Sequence, residues 1–165
     1  ALMESVVPVI EEIFAVKADQ KAGVSLSAFS VATCSPGRLR PIQCIPHFDT
    51  CDGRQFAVVH YLCDAVFGGT SFYRHRETGY ESITQERVKR YMQSVERAAK
   101  SGRIPLKAYI NGSTEIFERI ACVEARFNRA LVYRSQVLHS GNIQLVSDLS
   151  NPCQGRLTAN TFLHI

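Results

Sequence analysis

The chain has no tryptophan, two methionines among 165 residues, and no internal repeat or low-complexity tract, so solenoid, propeller and linker architectures are excluded. It has no Lys/Arg-rich run. Nineteen basic and fifteen acidic residues are scattered along it, and the net charge is +4. That is not the footprint of a nucleic-acid binder, though a small basic excess suits a pocket that receives an anion. There is no CxxC. Six cysteines stand apart at 34, 44, 51, 63, 122 and 153 and read as free thiols in a reducing compartment. No apolar run approaches a membrane span, and Pro8, Glu11 and Glu12 spoil a signal-peptide reading of Val6 to Ile10. A cytoplasmic protein with no membrane partner is expected. The chain opens on Ala1 rather than Met, so it is expected to be processed or part of a longer polypeptide.

What is present is an ordinary globular composition, 45% hydrophobic and 21% charged, long enough for one core. Apolar residues at Val6, Val7, Ile10, Ile13 and Phe14 have helical spacing and predict a helix over 2–17. Alternation predicts strands over 24–33, 39–48 (interrupted at Pro46), 70–75, 120–124, 127–134 and 156–165. The nearly continuous apolar run 56–63 predicts a strand buried on both faces. A helix is expected over 84–99, capped by Thr84, with Val88, Tyr91, Met92 and Val95 on its apolar face. A second short helix is expected over 113–117, and turns at Ser35-Pro36-Gly37, Asp52-Gly53 and Ser140-Gly141-Asn142. About seven short strands with few helices point to a mainly β (α+β) barrel or sandwich in one domain spanning 1–165.

The sharpest chemical feature is Pro46-His47-Phe48-Asp49. Residues two apart on a strand share a face, so His47 and Asp49 offer an imidazole and a carboxylate to one point. Two histidines and one carboxylate on one face make a non-haem Fe(II) site with open positions. The third ligand comes from His60, His75, His139 or His164. His139, in Leu138-His139-Ser140-Gly141, ends an apolar strand 90 residues after Asp49. Arg156 follows 17 residues later, and Arg156-Leu157-Thr158 puts a guanidinium and a hydroxyl on one strand face, as a buried carboxylate requires.

The order His-x-Asp, Tyr61-Leu62-Cys63, Gly68-Gly69-Thr70-Ser71-Phe72, His139, then Arg156-x-Thr158 resembles the 2-oxoglutarate/Fe(II)-dependent dioxygenase superfamily, in its prolyl-hydroxylase-like branch. More narrowly, Ile45 to Asp49, His60 to Cys63, Gly69 to Arg76, and Phe127-Asn128-Arg129 through Gly141 are similar to a bacterial domain family of unknown function near that branch. The resemblance implies a double-stranded β-helix (jelly roll) with an N-terminal helix and a helical insertion. It implies that His47, Asp49 and His139 are the catalytic metal ligands for Fe(II), and that Arg156, Thr158 and Tyr61 bind the distal carboxylate of the cosubstrate 2-oxoglutarate. The reaction implied is oxidation, in the main hydroxylation, of a small-molecule, amino-acid or peptide substrate, with 2-oxoglutarate decarboxylated to succinate. Cys63 stands where the branch often carries Asn. The loop 151–155 is expected to absorb the long interval between His139 and Arg156.

Arg74 and Arg76, with Tyr73, are expected at a rim that captures a carboxylate-bearing substrate; the competing expectation is a solvated strand edge for the arginines and core packing for Tyr73. Arg156 is weighed against a surface pair with Asp148, and Tyr61 against plain core packing. Cys44, His47, Cys51, His60 and Cys63 raise a structural-zinc alternative, disfavoured because residues three apart on a strand face opposite ways. Two other classes remain open: a cupin-like metal- or ligand-binding module without turnover, which needs neither Arg156 nor Thr158, and an interaction protein that docks through helix 84–99.

Overall fold

The computed structural model describes residues 2–18, 22–105, 107–144 and 155–165. In chain order these form α1 (Leu2–Phe14), β1 (Gly23–Val31), β2 (Gln55–Tyr61), β3 (Thr70–His75), α2 (Gln85–Lys100), β4 (Phe117–Val123), β5 (Arg129–Arg134), β6 (His139–Gly141) and β7 (Leu157–His164). The strands make two antiparallel sheets, one in the order β1-β7-β2-β5 and one in the order β4-β3-β6. The fold is therefore mainly β with two helices. No helix among the described residues is long and apolar enough to cross a membrane.

Alternation assigns the faces. On β2, Phe56 and Val58 point outward with Leu163 of the paired β7, and α1 covers them with Val6, Val7, Ile10 and Phe14. The Phe14 and Phe56 rings meet edge to face at 5.0 Å. Ile10 is 1% exposed, a burial that contributes about 2 kcal/mol. The opposite face of this sheet carries Val59, Tyr61, Leu131 and Tyr133 and looks onto the second sheet. Two contacts join the layers there: Phe72 against Tyr133 with centroids 5.2 Å apart, and the Tyr61 hydroxyl donating to Thr70 Oγ1 at 2.6 Å. α2 closes the far side of the second sheet, burying Tyr91, Ser94, Val95 and Ala98 over a cluster that includes Tyr73, Phe117 and Leu138. Met92, expected on the apolar face of α2, is 45% exposed instead.

Three local expectations are corrected. Residues 39–48 are not a strand: Pro41 opens a 3-10 turn, Pro41–Cys44, and only His47 makes a β-bridge. Residues 113–117 are not a helix. Thr114 Oγ1 accepts from the backbone N–H of Ile116 and Phe117 at 3.3 and 3.0 Å, so the capping chemistry serves a turn that feeds β4. Residues 140–142 are not a free turn, because Ser140 and Gly141 pair with Ser71 and Thr70 in β6. The expected loop at 151–155 lies outside the described residues except for Gly155, and Asp148 lies outside them too.

Candidate metal centre

His47 reaches its place through the backbone. Its N–H donates to the His139 carbonyl at 2.9 Å, and the His139 N–H returns the bond at 2.8 Å. The two residues are therefore locked side by side, with ring centroids 4.3 Å apart. Asp49 is held by its own N–H donating to the Ser135 carbonyl at 2.8 Å. His139 is fixed from the other side by β3, its register partner being Phe72.

The side chains converge. Asp49 Oδ1 lies 3.8 Å from His47 Nε2, and Asp49 Oδ2 lies 3.8 Å from His139 Nε2. One ligand atom from each of the three residues falls within 4.8 Å of the others, and among the described residues no other such group of three or more forms. Nitrogen and oxygen ligands sit about 2.0–2.2 Å from a first-row metal, so two such bonds end to end span about 4.2 Å. That exceeds the 3.8 Å between Asp49 and each imidazole, so one ion can bridge them after small rotations.

His139 Nδ1 donates to the Val137 carbonyl at 2.8 Å, which puts the ring proton on Nδ1 and the lone pair on Nε2, facing Asp49. Burial pushes His139 down to about 4, against the small opposing pull of that carbonyl. His47 falls to about 4 as well, first through burial and then through its neighbour His139, while Asp49 opposes. Burial raises the Asp49 carboxyl, with His47 opposing. Near neutral pH the centre thus presents two uncharged imidazoles beside a poorly solvated carboxylate. Such a set gains from a cation and fits a two-histidine, one-carboxylate metal site.

The triad opens into a cavity of about 250 Å³, small beside the roughly 300–1,000 Å³ of drug-sized sites. Arg156 lines the same cavity, with Thr70 and Tyr133, between apolar walls that include Ala57, Val59 and Phe162. The Arg156 guanidinium donates from Nε to the Gly68 carbonyl at 3.2 Å and from Nη2 to the Gly69 carbonyl at 3.0 Å, and lies 5.5 Å from the Tyr61 ring centroid. Nη1 has no hydrogen bond among the described residues. The close approach needs the two glycines: a side chain at Gly68 or Gly69 would collide with the backbone of Asn142 or Val123.

Of the residues predicted from sequence, His47, Asp49, His139 and Arg156 share this cavity. Tyr61 and Thr158 are buried beside it, cross-strand partners in the β2–β7 register, and do not line it. Hydroxyls that do line it come from Tyr133, Thr161 and Thr70, and the one beside Arg156, passed over in the sequence, is Thr70. It opens β3 after the Gly68-Gly69 turn, with its side chain on the Phe72 face. Tyr133 was also missed, although it shares the alternation of Leu131.

The expected substrate rim does not form. Arg74 pairs with Glu81 and Glu118 at 2.5 and 3.3 Å, Arg76 donates to the Thr114 carbonyl at 3.1 Å, and Tyr73 is 0% exposed in the core under α2. None of the three lines the cavity. His60, His75 and His164 bond elsewhere, to Asn128, to Thr78 and Ser94, and to Asp52. The five-residue zinc alternative likewise fails, since of its members only His47 joins a ligand cluster.

A family model spans this whole constellation, matching residues 1–163. The chain belongs to the family of unknown function DUF6445. This agrees with the narrower half of the resemblance, to a domain family without an assigned activity. No curated protein and no solved structure matches the chain. Chemical function must therefore be argued from the site itself.

Proposed function

We propose that this chain is an Fe(II)- and 2-oxoglutarate-dependent oxygenase, with its two sheets arranged as a double-stranded β-helix, that hydroxylates or otherwise oxidises a small-molecule, amino-acid or peptide substrate. One observation carries the reading: a single cavity is lined both by His47, Asp49 and His139 and by the guanidinium of Arg156. A metal ligand set alone is common to many proteins, whereas a cationic anchor sharing a small cavity with it matches a cosubstrate with a metal-chelating end and a carboxylate end.

In this reading Fe(II), when bound, would supply the oxidising chemistry with O₂ as the oxidant and 2-oxoglutarate as the co-reductant that leaves as succinate and CO₂. The chain contributes geometry. His47 and His139 offer Nε2 as neutral donors, and the Val137 carbonyl keeps the His139 ring turned. Arg156 holds the distal carboxylate, with Thr70 Oγ1 beside it at 3.5 Å from Nη2. Tyr61 is a positioning residue: its hydroxyl donates to Thr70 at 2.6 Å, which orients Thr70 towards the cosubstrate. Thr158 backs Tyr61 across the β2–β7 ladder. Ala57, Val59 and Phe162 line the cosubstrate's apolar middle and keep water away from it.

The test is anaerobic addition of Fe(II) and then 2-oxoglutarate, followed by air. A weak visible charge-transfer absorption that His139→Ala abolishes, and succinate formed from 2-oxoglutarate on admitting O₂, are expected. Neither signal from folded wild-type protein would overturn the reading.

The competing reading, a cupin-like metal- or ligand-binding module without turnover, draws on one observation. Arg156 already donates to two backbone carbonyls, as a purely structural arginine does. Metal binding without any succinate would favour it.

A further inference from the structure

Beside the triad lies a second chamber of about 400 Å³, lined by Ile42, Gln43, Ile45, His47, Tyr109, Ser140, Gly141 and Ile143. It shares His47 and Gly141 with the cavity that holds Arg156. Gly141 keeps the partition thin: a Cβ there would sit 3.1 Å from Ile143 Cδ1 and 3.5 Å from Arg156 Cζ.

Three of the polar groups here are tied into the protein. The Tyr109 hydroxyl donates to the Cys34 carbonyl at 2.8 Å, the Gln43 carbonyl oxygen accepts from the Arg40 N–H at 2.9 Å, and the Ser140 hydroxyl donates to the Gly141 carbonyl at 3.4 Å. Among the described residues no Asp, Glu, Lys or Arg lines the chamber. Ile42 is nevertheless 57% exposed, so apolar surface stands in water at the metal's edge.

We propose that this chamber binds an uncharged aliphatic or aromatic arm of the substrate, so that the molecule to be oxidised is apolar at the end it presents to His47. The inference rests on the triad being a metal centre and replaces the carboxylate-bearing substrate expected from Arg74 and Arg76. The volume lies near the lower end of small-molecule sites, which suits an arm the size of a side chain. A charged group would shed part of its water against Ile42, Ile45 and Ile143 and meet no oppositely charged side chain among the described residues there.

The experiment uses four probes: the N-acetyl amides of leucine, phenylalanine, aspartate and lysine. Saturation-transfer NMR on the metal-free protein reads binding, and added Mn(II) reads distance through line broadening. The leucine and phenylalanine amides should bind and broaden, and the charged pair should not. Ile42→Asp, at a position 57% exposed, should weaken binding about tenfold or more, and Ile143→Asp should do the same. Equal binding of the charged amides, or no change in both variants, overturns the proposal. If Mn(II) does not bind but the apolar probes still respond to Ile42→Asp, the chamber's ligand class stands and the metal reading falls. If Mn(II) binds and no apolar probe does, the chamber proposal falls alone.

Discussion

Two buried histidines lie in the second sheet, one at each end of its chemistry. His75 is 0% exposed and His139 is 5% exposed. His75 is bonded at both nitrogens, to Thr78 Oγ1 at 2.8 Å and to Ser94 Oγ at 3.5 Å, and Tyr91 and Phe117 pack on its ring. His139 uses only Nδ1, on the Val137 carbonyl, and turns Nε2 towards Asp49. Burial lowers the pKa of both. The difference is therefore one of satisfaction and not of burial. A core imidazole with both nitrogens engaged is fixed in the fold, whereas one whose lone pair faces a carboxylate is poised for a cation.

The strongest way to break this contrast is to remove each ring. His139→Ala should lower Mn(II) affinity by more than about a hundredfold in calorimetric titration. His75→Ala should leave that affinity within about threefold and cost about 2–4 kcal/mol in urea unfolding, for a lost core ring and its two hydrogen bonds. Metal binding that followed His75 instead would end the distinction.

Next comes the anchor. Arg156→Gln should raise the KM for 2-oxoglutarate roughly 10- to 100-fold, since a charge-assisted bond contributes about 1.5–3 kcal/mol, and should leave Mn(II) affinity unchanged. A matching loss of metal affinity would show that Arg156 only props the triad.

Protons sharpen the contrast further. His47 and His139 titrate near 4 in the folded chain, against about 6.5 unfolded. Between those values the unfolded chain holds more protons, so metal-free stability falls as pH drops from 6.5 towards 4 and is fully present above 6.5. His75, also lowered, adds to the same slope. Asp49, raised, opposes it at the acid end. The urea midpoint should be lower at pH 5 than at pH 7.5, and saturating Mn(II) should widen the gap by stabilising the protein more at the higher pH. A midpoint independent of pH would contradict the neutral imidazoles.

The smallest effect belongs to the basic patch. Arg74→Ala breaks two half-exposed ion pairs and should leave the urea midpoint nearly unchanged, with succinate formation unaltered.

The residues that alternate or repeat at helical spacing were legible in the chain itself: α1, α2 and strands β1, β2, β3 and β7 lie within a few residues of where periodicity puts them. His47 and Asp49 were paired for an incomplete reason. They share a side because a bridge to His139 and a bond to Ser135 hold their backbones, not because they belong to a long strand. Pro41 and Pro46 mark that irregular stretch, and alternation across them was misleading. Thr70 was illegible for a different reason. Its importance comes from Gly68 and Gly69 bringing Arg156 onto their carbonyls, contacts across 88 and 87 residues that no local pattern encodes. Arg74 and Arg76 looked like a rim because partners that engage them, Glu118 of β4 for Arg74 and the Thr114 carbonyl for Arg76, lie far along the chain.

The most direct measurement is a crystal structure of the protein with Mn(II) and 2-oxoglutarate. The account predicts one metal ion bound by His47 Nε2, an Asp49 carboxylate oxygen and His139 Nε2, chelated by the 2-oxo acid, with the distal carboxylate on Arg156 and Thr70. A metal bound elsewhere, or a cosubstrate carboxylate with Arg156 still engaged only by Gly68 and Gly69, would contradict it.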